Sequence, residues 1–329
     1  IGGMAGNNSC GGRSIKYGMM RDNVLSIDAI LNDVNEYNFG NLENISLLRK
    51  NNPNNFEKTI SELLVLAKEN QDEILKKFPK VLRRVGGYNI DALLPDAMSL
   101  RPNGKKGDGI NLSHLLVGSE GTLNYFTAIT LKLSPLPSDK VMGVCHFPTF
   151  YEAMSAAQHL VKLSPVAVEL IDETMIKLAR NISIFKSTVE EVVKGNPKAL
   201  LVVEFAESSN EKNLKKLSRL DEMMSDLGFS WENKKGGLIK ISNKTLQGKV
   251  TEMRKSGLNI MMSMKTEQKP VSFVEDCAVK LENLADYTND LKKIFKKYDV
   301  EGTWYAHASV GCLHVRPVLN MKLKQDVSK

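Results

Sequence analysis

The strongest constraint on the fold is a rhythm in the second half of the sequence, where short unbroken apolar runs alternate with amphipathic stretches. Val141-Met-Gly-Val-Cys-His-Phe147, Val166-Ala-Val-Glu-Leu-Ile171 and Ala199-Leu-Leu-Val-Val-Glu-Phe205 have strand length and are rich in β-branched side chains, so they read as buried strands. Phe150 to Leu163, a stretch from Asp172, and Asn210 to Leu227 carry apolar residues at helical spacing and read as the helices between them. This alternation predicts an α+β domain, an antiparallel sheet covered by helices and ferredoxin-like in character. Pro135 and Pro137 with Ser138 precede the first of these strands. Proline cannot continue a ladder, so they mark a domain boundary, and the expected domains are 1–137 and 138–329.

With 329 residues, 42% of them hydrophobic, the chain can bury the cores of two domains. In the first half, Leu25-Ser-Ile-Asp-Ala-Ile-Leu31 alternates as a strand does. From Asn44 to Arg84 the spacing turns helical, through Ile45, Leu47 and Leu48, then Phe56, Ile60, Leu63, Leu64 and Leu66, then Ile74, Leu75, Phe78, Val81 and Leu82. Asn51-Asn-Pro-Asn-Asn55 parts two helices there.

The net charge of +7 does not point to nucleic acid. Lysines are mixed with acids, as in Glu211-Lys-Asn-Leu-Lys-Lys216 and Asp290-Leu-Lys-Lys-Ile-Phe-Lys-Lys297, which is the pattern of solvated helix faces, and no aromatic platform accompanies them. No run of eighteen apolar residues occurs and no signal peptide is visible. Cys10, Cys145, Cys277 and Cys312 form no CxxC pair, so a reducing compartment is expected and no iron–sulfur cluster. The expected location is the cytoplasm, with at most peripheral association on the inner face of a membrane.

The first residues are unusually rich in glycine: Gly2, Gly3, Gly6, Gly11, Gly12 and Gly18 are interleaved with Asn7, Asn8, Ser9 and Arg13. Backbone N–H groups in such a segment can approach a bulky polar ligand with no Cβ in the way. It is neither the GxGxxG dinucleotide fingerprint nor a P-loop, since no GK[ST] follows and no apolar strand precedes it. A flexible loop and a cradle for a phosphate-bearing cofactor both satisfy this composition.

Gly2-Gly-Met-Ala-Gly-Asn-Asn-Ser-Cys-Gly11, followed by Tyr17-Gly18 and Arg21-Asp-Asn-Val24, resembles the segment of vanillyl-alcohol-oxidase (PCMH) type flavoproteins that lines the FAD pyrophosphate and ribityl chain. Leu115-Leu-Val-Gly-Ser-Glu-Gly-Thr-Leu123, running into Tyr125-Phe-Thr-Ala-Ile-Thr-Leu-Lys-Leu-Ser-Pro-Leu-Pro137, is similar to the VGSEGTLG…T…LPLP signature of FAD-linked 2-hydroxyacid oxidases and dehydrogenases, with Asn124 where that family usually has glycine. The resemblance implies the C-terminal part of a PCMH-type FAD-binding domain followed by a ferredoxin-like substrate (cap) domain. It implies FAD contacts from Gly2, Gly3, Gly6, Asn7, Asn8, Ser9, Gly11, Arg13, Tyr17 and Gly18, and from Gly118, Ser119, Glu120, Gly121 and Thr122, the last group chiefly through backbone. Short relatives run directly from Gly-Tyr-Asn into the Gly-Ser-Glu-Gly segment. Here a helical stretch and a loop with Pro95, Pro102, Gly104, Gly107 and Gly109 intervene, so about 41–110 reads as a surface insertion. The resemblance also places half of the FAD domain before Ile1 and a Glu-His pair after Lys329. The chain is therefore expected to be a fragment that holds parts of the site, binds FAD weakly and does not turn over alone.

In the second domain, Trp304-Tyr-Ala-His-Ala-Ser-Val-Gly-Cys-Leu-His-Val-Arg-Pro317 carries His307 and His314 seven residues apart. One unbroken strand would put them on opposite faces, whereas a turn or bulge at Gly311 brings both to one side. Two converging imidazoles suit a divalent metal such as zinc, and two structural histidines fit the bare pattern as well. The resemblance favours the metal, because relatives have His-x6-His beside flavin and substrate. This chain has Ala308-Ser-Val-Gly-Cys312 where many relatives have Gly-Asp-Gly-Asn, and Cys312 reads as a small buried residue. Arg254 corresponds to an arginine that in the family binds the substrate carboxylate, and a guanidinium fork suits that task. Lys269-Pro-Val-Ser-Phe-Val-Glu-Asp-Cys-Ala-Val279 resembles the strand facing the active site, where Glu275 and Asp276 either join the metal shell or cap the strand.

The implied activity is oxidation of a D-2-hydroxy acid such as D-lactate, glycolate or D-2-hydroxyglutarate, with hydride passing to flavin N5 while a metal assists deprotonation of the hydroxyl. His314 is the only base this chain offers, and a poor one if it is a ligand. The resemblance leaves the electron acceptor open among a quinone, a cytochrome and an electron-transfer flavoprotein. The competing readings are a same-fold oxidase of an aldonolactone or phenol, and a non-catalytic FAD-binding electron-transfer subunit.

Overall fold

The computed structural model describes residues 1–42, 54–94 and 109–329. The chain divides into two compact units, Ile1–Pro135 and Leu136–Lys329.

The first unit contains α1 (Gly2–Gly6), α2 (Ser14–Tyr17), β1 (Val24–Ile30), β2 (Glu36–Phe39), α3 (Asn55–Glu69), α4 (Gln71–Lys77), α5 (Ser113–Leu116) and β3 (Tyr125–Leu131). The strands form an antiparallel sheet in the order β2-β1-β3, with Ile27 opposite both Phe39 and Ile129. Val24, Ile27, Ala29 and Phe39 are buried on one face, together with Phe56 and Ile60 of α3 and Leu112, Leu115 and Leu116 around α5. The inserted helix is fixed to β2 by Phe56, which stacks on Tyr37 at 4.3 Å and meets the Phe39 ring edge-on at 5.2 Å. Its start is a capping box, with Asn54 accepting from the Glu57 N–H and Glu57 from the Asn54 N–H. The helical spacing expected as far as Leu82 stops at Lys77, because Phe78 precedes Pro79 and takes an extended conformation. Ile45, Leu47, Leu48, Pro95, Pro102, Gly104 and Gly107 lie outside the described residues.

The second unit follows the expected alternation: β4 (Val141–Phe147), α6 (Phe150–Leu160), β5 (Ala167–Asp172), α7 (Glu173–Arg180), α8 (Ser183–Val192), β6 (Ala199–Phe205), α9 (Asn210–Asp226), β7 (Gly237–Ile241), α10 (Lys244–Lys255) and α11 (Gly257–Met262). The sheet order is β5-β6-β4-β7, all antiparallel, which is the ferredoxin-like arrangement. Its strands are mostly apolar because both faces are covered, with His146, Glu169, Asp172 and Glu204 as buried exceptions. Cys145, Phe147, Leu201 and Val203 pack with α6 and α9, while Met142, Val144, Leu200 and Val202 pack with α7, α8 and α10. The helix expected to reach Leu163 closes at Leu160 and tightens into a 3-10 turn over Val161–Leu163, a common way for a last turn to satisfy its carbonyls.

A second sheet follows, from β8 (Lys269–Pro270), β9 (Val274–Ala278), α12 (Leu284–Lys297), β10 (Glu301–His307), β11 (Cys312–Leu319) and α13 (Lys324–Val327). Both β10 and β9 pair antiparallel with β11, and β8 pairs with its far end. The β10–β11 hairpin is two-faced: Trp304, Ala306, Leu313 and Val315 enter the core shared with α6, while Tyr305, His307, His314 and Arg316 occupy the other face. β10 packs against β5, where the buried Asp172 caps α7 through the Met175 N–H and accepts the Trp304 N–H at 3.2 Å.

Candidate active site

Two groups of residues, one in each unit, carry the chemistry that the sequence suggests. In the first unit the glycine-rich segment is not an open loop. Gly2–Gly6 forms a short helix, because Ala5 is buried and its carbonyl accepts the Gly118 N–H at 2.9 Å, while the Gly6 carbonyl accepts the Glu120 N–H at 2.9 Å. Those two donors are thereby used within the chain instead of facing a cofactor. The Ser119 and Thr122 N–H groups bond back to Leu116 and Ser119.

What remains for a ligand is space and side chains. A Cβ built on Gly2, Gly3, Gly6, Gly11 or Gly121 would meet nothing within 4 Å, so the backbone is open at each. Asn8 and Ser119 are buried with the Asn8 Nδ2 and Ser119 Oγ lacking hydrogen-bond partners, a costly state that a polar ligand would relieve. Asn7 accepts from the Ser9 hydroxyl, the Tyr17 carbonyl accepts from Asn23, Gly18 turns the chain at a φ of 78°, and Arg13 is exposed ahead of α2. These residues fit a bulky polar cofactor of the FAD kind. Tyr88, within the Gly-Tyr-Asn stretch but not expected as a contact residue, brings its hydroxyl within 2.8 Å of that of Thr122.

A buried network ties these pieces together. The Arg21 N–H donates to Asn8 Oδ1 at 2.9 Å, and its guanidinium donates to Asn89 Oδ1 at 3.0 Å. Asn89 Nδ2 in turn donates to the Val117 and His114 carbonyls, on the chain entering Gly118. Asp91 pairs with both Arg21 and Arg84, so two buried guanidinium groups share one carboxylate. Burial, helped by the nearby Arg21, pulls the His114 imidazole down to about 4.

In the second unit the hairpin brings His307 and His314 to one face. The link between the strands is a 3-10 turn over Ala308–Val310 followed by Gly311 at a φ of 66°, where an added Cβ would run into the Val279 carbonyl oxygen. The resulting register sets Tyr305 opposite His314 and His307 opposite Cys312, and the two imidazole centroids stand 5.3 Å apart. His307 Nδ1 is 3.1 Å from both oxygens of Glu169. His314 Nδ1 is 2.7 Å from Glu275 Oε2, and the other Glu275 oxygen accepts from Arg316 Nε at 2.6 Å and the Ser272 hydroxyl at 2.7 Å.

Arg254 reaches this face from α10, lying 4.2 Å over the Tyr305 ring. Its Nη2 pairs with Glu169 and donates to the Ala306 carbonyl at 3.3 Å, and its buried Nε has no hydrogen-bond partner. The arginine expected as a carboxylate clamp is thus already held by a carboxylate of the protein. Burial pulls its guanidinium down to about 10, against the influence of Tyr305, which leaves it charged at neutral pH. Burial likewise pulls the His314 imidazole below the usual range, against the hydrogen bond to Glu275, and the facing His307 adds to that lowering. Burial pushes Glu275 up, but the hydrogen bonds from Ser272, Arg316 and His314 outweigh it and its carboxyl sits below the usual range.

Asp276 lies at the end of this cluster with its Oδ1 3.6 Å from His314 Nδ1 and 3.9 Å from Cys312 Sγ. One ligand atom from each of Asp276, Cys312 and His314 falls within 4.8 Å of the others. Their donor set fits a divalent cation. Sequence reasoning had missed Glu169, Tyr305 and Arg316. A single acid within the apolar run Val166–Ile171 was the available signal for Glu169.

Residues 136–329 match the family described as FAD linked oxidases, C-terminal domain, and the chain belongs to that family. It is 28% identical to D-2-hydroxyglutarate dehydrogenase of Pantoea ananatis over 98% of its own length and 31% of the relative's. It is 23% identical to D-lactate dehydrogenase of Archaeoglobus fulgidus over 97% of its length and 54% of the relative's. The chain therefore spans about a third to a half of these proteins. Among solved structures, an alkyldihydroxyacetonephosphate synthase aligns over 100% of this chain and 50% of its own, with a TM-score of 0.58 and 14% identity, a likeness of fold. Among the described residues no helix is long and apolar enough to cross a membrane.

Proposed function

We propose that this chain is the cofactor-contacting and substrate-binding part of an FAD-dependent oxidoreductase acting on a small D-2-hydroxy acid of the D-2-hydroxyglutarate, D-lactate or glycolate type. The observation that carries the reading is the polar face of the β10–β11 hairpin, where two imidazoles, two guanidinium groups and Tyr305 converge in a chain of this family. The names of the relatives support the choice of substrate class.

Gly2, Gly3, Gly6, Asn8, Gly11, Ser119 and Gly121 would hold FAD, with Asn7, Ser9, Arg13, Tyr17, Gly18, Gly118, Glu120 and Thr122 shaping the backbone around it. FAD, when bound, supplies the acceptor for the hydride that leaves the substrate α-carbon. A divalent ion at His314 would lower the pKa of the substrate hydroxyl. Arg254 and Arg316 present positive charge to the substrate carboxylate, and Glu169 and Glu275 fix their orientation. His307, its Nδ1 anchored on Glu169, directs its remaining nitrogen toward the reacting region as a ligand or a proton carrier.

The test is an anaerobic titration of the flavin-loaded full-length protein with D- and L-2-hydroxy acids, followed by bleaching of the flavin absorbance. Reduction by at least one D-acid and not by its L-enantiomer is expected. Reduction by none, or by L-acids alone, would overturn the reading.

A further inference from the structure

We propose that Asp172 is a positioning residue for the candidate site: its carboxylate locks the edge of β10 to β5 and so sets where His307 stands relative to Glu169 and Arg254. This rests on the proposed function for the role of His307 and goes beyond it in naming what holds that histidine in place.

β5 and β10 are the edge strands of two separate sheets, in the orders β5-β6-β4-β7 and β10-β11-β8, and they pack against each other. Carboxylates of β5 join the two edges, in the place that carbonyl groups take in a ladder. At one end, Asp172 Oδ2 accepts the Trp304 N–H at 3.2 Å. At the other, both oxygens of Glu169 lie 3.1 Å from His307 Nδ1. Asp172 comes three residues after Glu169 on β5, and Trp304 three residues before His307 on β10. The two joins therefore belong to one antiparallel register of β10 on β5, and a slip of one residue would break both. Arg254 spans the same seam, pairing with Glu169 of β5 and donating to the Ala306 carbonyl of β10.

Asp172 touches neither imidazole nor guanidinium of the polar face, so its contribution is made through the backbone. It is 3% exposed, and its Oδ1 caps α7 by accepting the Met175 N–H at 2.8 Å. One side chain thus ties β10 both to the end of β5 and to the start of α7. Lys292 of α12, its ammonium 3.9 Å from the centre of the Phe150 ring, supplies positive charge nearby. A carboxylate suits the position because its two oxygens serve two N–H groups in different directions at once.

The experiment compares the full-length, flavin-loaded protein with its Asp172→Ser variant. Serine is a good N-cap, so α7 keeps an acceptor while the Trp304 N–H loses its own. The kcat for a 2-hydroxy acid that reduces the flavin should fall about tenfold with KM within about twofold, because His307 shifts while Arg254 keeps Glu169. In the chelator-treated protein, diethyl pyrocarbonate should label His307 faster in the variant, read by mass spectrometry, as Nδ1 parts from Glu169. Glu173→Gln, which removes the ion pairs to Lys177 and Lys198 at the same helix start, should leave both readouts unchanged. A folded Asp172→Ser protein with the parent's kcat and His307 labelling, or the same changes in Glu173→Gln, would overturn the proposal. If Asp172→Ser fails to fold, hydrogen exchange in the unaltered protein decides. The Trp304 N–H should exchange about a hundredfold more slowly than an unprotected amide, and rapid exchange there would overturn the lock. Faster labelling of His307 without turnover of any hydroxy acid would sink the proposed reaction and leave this inference standing, and turnover with unchanged labelling and kcat would do the reverse.

Discussion

His307 and His314 stand face to edge, with ring centroids 5.3 Å apart and planes at 89°, although seven residues of chain separate them. That relationship depends on the left-handed turn at Gly311. Gly311→Ala is expected to lower unfolding stability by about 2 kcal/mol, combining a strained φ with a collision at the Val279 carbonyl. Urea unfolding of the two proteins checks this, and an unchanged midpoint would show that the turn tolerates a side chain.

Glu169 holds two partners, Arg254 and His307, in a buried position. Glu169→Gln should cost about 3–5 kcal/mol because it leaves the Arg254 guanidinium buried without its counter-charge. Adding Arg254→Met should recover part of that loss. A double-mutant cycle measures the coupling, and simple additivity would mean that the pair is not energetically linked.

Asn89 is the hub between the Asn8 and Gly118 segments. Asn89→Ala should remove three hydrogen bonds, two of them buried, cost roughly 2–4 kcal/mol and weaken flavin binding as the two segments lose their common anchor. Denaturation and quenching of flavin fluorescence give the two readouts. Full flavin affinity in a destabilised variant would confine Asn89 to folding.

Burial raises the Asp172 carboxyl to about 6, against hydrogen bonds from the Met175 and Trp304 N–H groups. A carboxyl raised on folding favours the native state while both states are protonated, so its contribution is complete below the unfolded value near 4 and is lost as pH climbs through about 6. The loss is on the order of 3 kcal/mol. Stability measured from pH 4 to 7 should therefore contain a falling component that Asp172→Asn abolishes. A variant with the same pH profile as the parent would assign that component to other groups.

Much of the ferredoxin-like layer was legible because β4 and β6, Val141–Phe147 and Ala199–Phe205, are almost wholly apolar, as strands buried on both faces are. The candidate site was legible only in part. His307 and His314 were visible as a pair, and the glycine allowed them to meet. The state of Arg254 was not visible, since its partner Glu169 lies 85 positions away on β5 and joins it only through tertiary packing. The glycine-rich start shows the opposite failure. Its composition favours a loop, yet carbonyl bonds to Gly118 and Glu120 draw Gly2–Gly6 into a helical turn, because long-range partners override weak local propensity.

The two-faced hairpin also bears on how such a protein can be retuned. Trp304, Ala306, Leu313 and Val315 keep the strands in place from one side, so positions 305, 307, 314 and 316 form a set that can be randomised together without repacking the interior. A library confined to those four positions would vary the polar face while leaving the apolar packing intact, with Glu169 and Glu275 setting its limits, since each loses a partner when His307, His314 or Arg316 is replaced.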